Sequence, residues 1–485
     1  MSRFVKNVLK LVSGSMIAQI IGILLIPIIT RLYAPDDFGI SQLFLSIVGI
    51  AAVFSCLSYP QAIMLPEKDE DGAHLLMLSI ALLGVFCIFM AVIALVAAEP
   101  AGRLLNAPAI SQYLILVPLA VFLSAGSLVV NFWLSRRQKF GKVAVSRVSG
   151  SFTGKAVQIA MGATPSPLGL ITGSMANNLI ADLAMLKAIT VDAGLFARTT
   201  SAGMMQVAFR YKKFPLLLTW SSAADVISTQ LPPFLLVFYF SPTIVGYYAL
   251  ATQIVQIPMK LIGGAISQVF YQKACHDKNT TGSVRRVVQE MNLRLISVGA
   301  FPVLVLMVAG GDLFGFFLGG DWYIAGVYAT ILAPWIFVAF ISIPLQSIYM
   351  VLERQGTNLF FNITFLASRF AVLIIGGLSG DPIIALVLFS ATGTLFWGGM
   401  NLNILRIADV PYRDALLGVL THVGLACCML VPLILARWAE YDVPVLIVCI
   451  AVAGIPYYGW VLSRDIYLKT ALSSLLRGFW FFHRR

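Results

Sequence analysis

The chain has 485 residues, of which 59% are hydrophobic and only 11% are charged. A soluble globular protein carries roughly 25% charged residues, because its surface must bind water. The composition therefore excludes a water-soluble globule and indicates an integral membrane protein. The net charge of +12 does not change this conclusion, since binding to nucleic acid needs a basic patch on a water-exposed domain.

Fourteen segments are long and apolar enough to cross the hydrocarbon core of a bilayer, which takes about 20 mostly apolar residues. They cover residues 12–30, 39–62, 75–97, 112–134, 147–163, 168–187, 216–239, 246–270, 294–311, 326–350, 358–378, 383–404, 415–436 and 444–462. The first segment lacks an Ala-x-Ala cleavage site, so we expect it to be an uncleaved helix. The sequence thus predicts an all-α protein with about fourteen transmembrane helices.

The basic residues predict the orientation of these spans. With an even number of spans, both termini lie on one side of the membrane. The segments on that side hold 27 of the 33 Lys and Arg residues, whereas the opposite loops hold only Arg31, Arg103 and Arg437. The positive-inside rule therefore predicts that both termini are cytoplasmic.

Two cytoplasmic segments are long enough to form structure of their own. The linker 188–215 contains MMQVAFRYKKF, and the tail 463–485 contains DIYLKTALSSLLRGFWFFHRR. Mixtures of apolar and basic residues like these are typical of amphipathic helices on a membrane surface. Anchoring to the inner leaflet is the favoured interpretation, and binding to a partner protein is the alternative.

A phrase near the N-terminus returns in the second half of the chain. YAPDDFGISQLFLSI, residues 33–47, aligns with FSPTIVGYYALATQI, residues 240–254, at an offset of 207. The matched pairs are Pro35 with Pro242, Gly39 with Gly246, and Leu43 with Leu250. Because Asp36 and Asp37 have no acidic counterparts in the second copy, we interpret them as a solvated turn on the outer face. In this interpretation Pro35 ends one helix and Gly39 opens the next.

A second match, Arg137-Gln138 with Arg354-Gln355, has an offset of 217 and follows the fourth span of each copy. Two copies of six spans enter the membrane from the same side, which predicts a parallel repeat with a cleft between two lobes. The predicted parts are an N-terminal six-helix lobe (1–187), the cytoplasmic linker (188–215), a C-terminal six-helix lobe (216–404), two appended helices (405–462) and the cytoplasmic tail (463–485).

Ionisable residues inside predicted spans are the main candidates for function, because each costs about 2.5–3.5 kcal/mol at the bilayer centre unless it is paired or wet. They are Lys155, Asp182, Asp225, Lys260 and Arg369, in spans 5, 6, 7, 8 and 11. Lys260 and Arg369 lie deep in their spans, and with Lys155 they would form an anion site suited to a diphosphate. For Lys155 and Asp182 an equal alternative stays open, in which they form a structural ion pair or Lys155 reaches the interface.

Asp225 lies among polar residues in TWSSAADVISTQ. We predict that Asp225 or Asp182 takes part in coupling to a H⁺ or Na⁺ gradient. For Asp225, solvation in a wet cavity is an equally good interpretation. Pro232 and Pro233 are predicted to kink span 7 as a hinge, and Pro27 to do the same in span 1.

Signals for catalysis, metals and cofactors are weak. The four histidines lack zinc-type spacing, and the six cysteines have no Cys-x-x-Cys pair, so we expect no catalytic residues, no metal and no cofactor. SGSFTGKA, residues 149–156, departs from the phosphate-binding loop at both ends. Gly150 and Gly154 are instead expected to form a small-xxx-small face against another helix.

Three motifs resemble those of a known family. Thr30-Arg31-Leu32 followed by Phe38-Gly39, VGYYALATQIV (245–255) and GGDWYIAGVYATILAP (319–334) are similar to corner motifs of bacterial polysaccharide-repeat flippases. These are the Wzx-type O-antigen and capsule branch of the multidrug/oligosaccharidyl-lipid/polysaccharide (MOP) exporter superfamily. The resemblance implies a V-shaped, MATE-like fold with a central cleft in the bacterial inner membrane.

The resemblance also implies a function. Members move an oligosaccharide repeat linked to undecaprenyl diphosphate from the cytoplasmic to the outer face, for lipopolysaccharide or capsule, beside a polymerase and chain-length machinery. Many relatives carry Asp-Arg in span 7, where this chain has Pro232-Pro233. Two alternatives stay open: a multidrug/cation antiporter of the same superfamily, and a membrane glycan ligase or polymerase. The short outer loops disfavour the latter.

Overall fold

The chain is built from α-helices joined by short turns. A computed structural model describes residues 3–465 and 469, without the side chains of residues 3–13, 258, 260–269, 355 and 359. The helices before the second copy of the repeat are α1 (Arg3–Leu24), α2 (Ile26–Leu32), α3 (Pro35–Ser55), α4 (Tyr59–Ala62), α5 (Asp69–Leu104), α6 (Ser111–Leu114), α7 (Val117–Arg136), α8 (Phe140–Met161), α9 (Pro167–Ile189), α10 (Ala193–Phe196), α11 (Ser201–Arg210) and α12 (Thr219–Tyr239).

The second copy and the C-terminal part continue in the same way. The helices are α13 (Pro242–Val255), α14 (Ile257–Thr281), α15 (Arg285–Leu318), α16 (Tyr323–Ser342), α17 (Ile348–Val351), α18 (Gln355–Leu378), α19 (Pro382–Ile407), α20 (Tyr412–Met429), α21 (Val431–Trp438) and α22 (Val443–Arg464). The predicted class, an all-α integral membrane protein, is confirmed. Of the tail, residues 466–468 and 470–485 lie outside the described residues.

Each predicted span coincides with one helix or with two consecutive helices, but the count of fourteen transmembrane helices is not confirmed. Within the described residues, nine helices are long and apolar enough to cross a membrane, or ten if the bent pair α20 and α21 is one span. The predicted spans outside this set are the fifth to the eighth, formed by α8, α9, α12 and the interrupted pair α13–α14. These spans carry Lys155, Asp182, Asp225 and Lys260, so the same polar residues that suggest function lower their hydropathy.

The helices group into two compact units. Unit 1 contains residues 1–250, 317–322 and 370–385, and unit 2 contains residues 251–316, 323–369 and 386–485. Unit 1 includes α12, which the sequence analysis assigned to the C-terminal lobe. The five-part division therefore stays a prediction.

The corner between α2 and α3 differs from the predicted solvated turn. Pro35 does not end a helix there: it is the first residue of α3, so Gly39 lies inside that helix. The carboxylate of Asp37 accepts a hydrogen bond from the backbone N–H of Ala34 (3.0 Å), and Asp36 accepts one from the hydroxyl of Thr243 (3.2 Å). The acidic pair thus caps a helix N-terminus, where backbone N–H groups and the helix dipole favour negative charge.

The two copies of the repeated phrase pack against each other within unit 1. Both α3 and α13 begin at the proline of their copy. A Cβ at Gly39 would overlap the carbonyl group of Pro242, and a Cβ at Gly246 would overlap that of Pro35. Each copy therefore uses its glycine to admit the backbone of the other. This reciprocity explains why proline and glycine recur with the same spacing.

The turn from α15 to α16 completes this corner. Trp322 is 1% exposed, and its indole N–H donates to the carbonyl of Thr30 (2.8 Å). Its ring lies edge-on to Phe38 (4.8 Å between centroids) and to Tyr247 (6.1 Å). The three motifs that carry the family resemblance thus meet at one buried tryptophan.

A shared turn geometry corrects the offset of the second match of the repeat, Arg137-Gln138 with Arg354-Gln355. Gln138 and Glu353 both have left-handed backbone (φ 54° and 56°) just after a helix end. The backbone N–H after each one closes the turn, from Lys139 to Leu134 and from Arg354 to Tyr349. The turns therefore align Gln138 with Glu353, at an offset of 215 rather than the 217 taken from Arg-Gln.

Candidate functional site

Arg369 on α18 occupies an aromatic cage in unit 2. Its guanidinium carbon lies 4.2 Å from the ring centroid of Phe365, 4.5 Å from that of Phe389 and 4.6 Å from that of Trp335. Arg369 is only 5% exposed. A cation over an aromatic face is attracted by about 0.5–2 kcal/mol, with the larger values in desolvated sites. The cage therefore stabilises a charge that would otherwise be costly at this depth.

Neighbouring residues hold the cage in place. Trp335 on α16 lies edge-on to Phe389 on α19, with centroids 5.2 Å apart. A Cβ at Gly393, one turn after Phe389, would overlap the Trp335 ring. Contacts between α16 and α19 thus fix two of the three rings. Pre-positioned supports of this kind suit a group that must hold one orientation.

Lys155 and Asp182, both in unit 1, have partners of their own. The ammonium of Lys155 donates to the side-chain oxygen of Gln158 (3.0 Å), one turn later on α8. Asp182 on α9 accepts a hydrogen bond from the hydroxyl of Ser127 on α7. A pair between Lys155 and Asp182 is not among the ion pairs of the described residues. Both side chains are half-buried.

The packing of α8 on α9 confirms the small-residue face expected at Gly150 and Gly154. A Cβ at Gly150 would lie 2.5 Å from the carbonyl oxygen of Asn177, and one at Gly154 would lie 2.7 Å from that of Gly173. Such distances leave no room for a side chain. The close approach explains how two polar spans, α8 and α9, pack together: small residues let the backbones meet.

Asp225 lies on an exposed polar stripe of α12. Ser221, Asp225 and Thr229 are all exposed and follow each other at intervals of four residues, which places them on one face of the helix. The opposite side packs on α3, where the hydroxyl of Ser46 donates to the side-chain oxygen of Gln230 (2.8 Å). A carboxylate facing hydrocarbon is costly, so this stripe is suited to water or to a polar solute.

The remaining predicted residues are placed as follows. Lys260 belongs to α14, but its side chain lies outside the described residues. Pro27 follows an interruption of the helix at Leu25, between α1 and α2. Pro232 and Pro233 are buried inside α12, which continues through both without a break. A hinge at any of these prolines stays a prediction.

Sequence reasoning missed a charge network at the end of α7. Asp192 is 6% exposed and pairs with Arg137 (2.5 Å) and Lys139 (3.6 Å), while Trp133 donates to it from its indole (3.2 Å). Arg137 also pairs with Asp69 (2.5 Å). The only signal was the cluster of basic residues after span 4, because its acidic partners lie far away in sequence.

Charge and hydrogen bonds shift the protonation equilibria of this network. Burial raises the pKa of Asp192, but hydrogen bonds from Arg137 and Trp133 and the charges of Arg137 and Lys139 outweigh it, so the pKa lies below its ordinary value. The hydrogen bond to Asp192 raises the pKa of Arg137. Both groups are therefore charged across the physiological range. Together with Asp69 they join the start of α5 and the end of α7 to the segment after α9.

The described residues contain no cluster of three or more His, Cys, Asp or Glu side chains that could hold a metal ion. The described ionisable groups inside the predicted spans instead lie singly on helices: a caged guanidinium, an ammonium bound to an amide, and two carboxylates. Such groups can bind and release a charged solute. This pattern and the many apolar helices define a multi-pass membrane transporter.

The comparisons with known proteins identify the family. The family model for polysaccharide biosynthesis proteins matches residues 28–326, and the chain belongs to this family. The matched range contains the first two corner motifs and the start of the third, including Trp322. The predicted membership in a family of polysaccharide biosynthesis proteins is thereby confirmed.

The relatives are transport proteins. The succinoglycan biosynthesis transport protein ExoT of Rhizobium meliloti (strain 1021) is 25% identical over 293 residues, which are 58% of this chain and 56% of ExoT. The chain thus matches just over half the length of that relative. Two solved structures share the fold at 13% identity. They are the lipid II flippase MurJ in an inward closed conformation (TM-score 0.71; 93% of this chain, 99% of that one) and an inward-facing MATE family multidrug resistance transporter of the MOP superfamily (TM-score 0.58; 82% and 95%).

Proposed function

We propose that this protein is a flippase in the bacterial inner membrane. It moves an oligosaccharide repeat, carried on a lipid diphosphate such as undecaprenyl diphosphate, from the cytoplasmic to the periplasmic face for surface polysaccharide synthesis. The name of ExoT, a succinoglycan biosynthesis transport protein, supports a glycan cargo, and the fold shared with MurJ supports a flippase. Both termini are cytoplasmic in this proposal, as the distribution of Lys and Arg predicts.

One observation carries the proposal: the exposed polar stripe of Ser221, Asp225 and Thr229 on a predicted span. A sugar repeat is covered with hydroxyl groups, which lose hydrogen bonds if they enter hydrocarbon. A hydroxyl- and carboxylate-bearing wall replaces those bonds while the sugar crosses. The lipid tail needs no such wall, since it stays in the bilayer.

The cations take the other part of the cargo. A diphosphate carries several acceptor oxygens, to which Arg and Lys donate charge-assisted hydrogen bonds. In this proposal Arg369, Lys155 and Lys260 bind the diphosphate in succession. Asp225 and Asp182 provide sites for a coupling H⁺ or Na⁺, and Pro27, Pro232 and Pro233 absorb the change of helix direction.

A reconstituted assay tests the proposal. Purified protein is placed in vesicles with a fluorescent oligosaccharide on undecaprenyl diphosphate, and a membrane-impermeant reductant then quenches the label on the outer leaflet only. A flippase exposes nearly all of the label, whereas protein-free vesicles protect about half of it. The cargo is taken from a strain that requires this protein for surface polysaccharide. If the protein leaves the protected fraction of this cargo unchanged, the proposal is refuted.

The same vesicles distinguish the two competing functions. A drug antiporter would move a cationic dye in response to an ion gradient and leave the sugar lipid in place. A ligase or polymerase would change the length of the glycan, which mass spectrometry of the recovered lipid reveals. The proposed flippase neither moves the dye nor changes the length of the glycan.

A further inference from the structure

The linker between spans 6 and 7 contains a helix with one packed face, α11. Val207 is 3% exposed, and the hydroxyl of Tyr59 donates to the carbonyl of Ala208 (3.2 Å). At the start of the helix, the backbone N–H of Thr200 donates to the imidazole Nε2 of His74 (3.3 Å). These contacts fix which side of α11 faces the protein and therefore which side faces outward.

The outward side carries large apolar side chains next to the exposed Gln206. Met205 and Phe209, one helical turn apart, are 59% and 67% exposed. The stripe continues past the end of α11 through a π-helix, Phe214–Leu218, that leads into α12. Within it Leu216 and Leu217 are 63% and 67% exposed, and Trp220 after it is 66% exposed. Exposed apolar residues that continue into a predicted span are suited to the acyl region of a bilayer rather than to water.

Basic residues lie between the two halves of this stripe. Lys212 and Lys213 are both exposed. Arg210 is 62% exposed and lies 3.6 Å from Asp71, an ion pair that holds the end of α11 to α5. Apolar side chains flanking a pair of exposed lysines at the start of a span match a layer of anionic headgroups above acyl chains.

We propose that the segment Met205–Trp220, here called the elbow, is a binding surface for anionic phospholipids. Lys212 and Lys213 contact the headgroup phosphates, and Phe209, Leu216 and Leu217 enter the acyl region on either side. Charge complementarity selects this occupant, because the exposed part of the elbow carries positive charge and no acidic residue. The bound lipid holds the start of α12, the helix that carries Asp225, at the depth of the headgroups.

The test uses the full-length protein in nanodiscs of phosphatidylcholine with or without one third phosphatidylglycerol. We compare the wild type with Lys212→Gln/Lys213→Gln and with the control Arg285→Gln/Arg354→Gln, which removes the same charge from exposed positions elsewhere. Thermal unfolding is measured in both lipids, and retained lipid is identified by native mass spectrometry. The unfolding temperature of each variant in the mixed lipid is compared with its own value in phosphatidylcholine alone, so a general loss of stability cancels.

The wild type and the control are expected to gain several degrees in unfolding temperature from phosphatidylglycerol and to retain it preferentially. The Lys212/Lys213 variant is expected to lose this gain, with preferential retention reduced about tenfold. Phe209→Gln should weaken retention of both lipids. A wild type that gains nothing from phosphatidylglycerol overturns the proposal, as does an elbow variant that behaves like the control. A gain that is lost on removal of residues 466–485 while Lys212 and Lys213 are intact would assign the surface to that segment instead and also overturn it.

Discussion

The guanidinium of Arg369 shows how a single residue can be placed on a span without loss of stability. Its guanidinium carbon lies over the rings of Phe365, Phe389 and Trp335, within 4.6 Å of each centroid. A lysine at this position would keep the charge but lack the flat faces. The sequence predicts the charge at this depth; it does not predict the cage, because the rings come from helices dozens of residues apart.

Substitution of Arg369 tests its proposed role in binding the diphosphate. Arg369→Gln removes the charge, and we expect surface polysaccharide to be lost while the amount of protein in the membrane is maintained. Arg369→Lys should retain part of the activity, since an ammonium binds phosphate as a point charge. Polysaccharide is measured by gel electrophoresis, and protein by immunoblotting of membranes.

Arg413→Gln is the matched control for this prediction. Arg413 is exposed outside the predicted spans, so its loss should leave surface polysaccharide unchanged. Lys260→Gln is expected to resemble Arg369→Gln. Normal polysaccharide in both the Arg369 and the Lys260 variants would show that diphosphate binding does not depend on these cations.

At the scale of helices, glycines decide where backbones meet. Alignment of the repeated phrase predicts that Gly39 and Gly246 are equivalent, and the starts of α3 and α13 confirm this register. The contact between the two copies is not predictable from the alignment, which shows that two segments are alike but not that they touch. The break of α13–α14 at Gln256 was also missed, although Pro258 follows it by two residues.

Two glycines of α8 allow a controlled test of close packing. Gly154→Ala would place a Cβ 2.7 Å from the carbonyl oxygen of Gly173, so α8 and α9 must separate. We expect the free energy of unfolding to fall by about 1–3 kcal/mol, as for other overpacked interiors. Gly141 on the same helix has no atom near its Cβ position, so Gly141→Ala should change the stability by less than about 1 kcal/mol. Thermal unfolding in detergent measures both; equal effects would refute the assigned contact.

A double-mutant cycle tests the reciprocal contact of α3 and α13. Gly39→Ala and Gly246→Ala should each lower the unfolding temperature, because each Cβ overlaps a carbonyl group of the other copy. Since both changes separate the same two helices, the double variant should lose clearly less than the sum of the single losses. Gly84→Ala on α5, with open space at its Cβ, serves as the control. Strict additivity would mean that the glycines act at independent sites.

At the scale of the whole molecule, composition and hydropathy predict the class, and the corner motifs predict the family. They cannot predict that residues as far apart as Thr30 and Trp322 form one cluster, since that contact joins positions 292 residues apart. Nor does hydropathy alone find every span: α8, α9 and α12 are polar enough to fail a simple test. Their polarity is what a transporter of hydrophilic cargo requires, so the spans hardest to recognise are those most involved in the proposed function.

Orientation follows from charge and has a direct test. In a chain whose native cysteines are replaced, Glu99→Cys lies in a predicted periplasmic loop and Ala202→Cys in the predicted cytoplasmic linker; both positions are exposed. A membrane-impermeant thiol reagent added to intact cells should label the first and spare the second, and both should react after permeabilisation. The bias of 27 to 3 in Lys and Arg predicts this result, because basic residues near the ends of spans are retained on the cytoplasmic side. The reverse labelling would show that the predicted orientation in the membrane is wrong. It would also place Lys212 and Lys213 on the periplasmic side of the membrane.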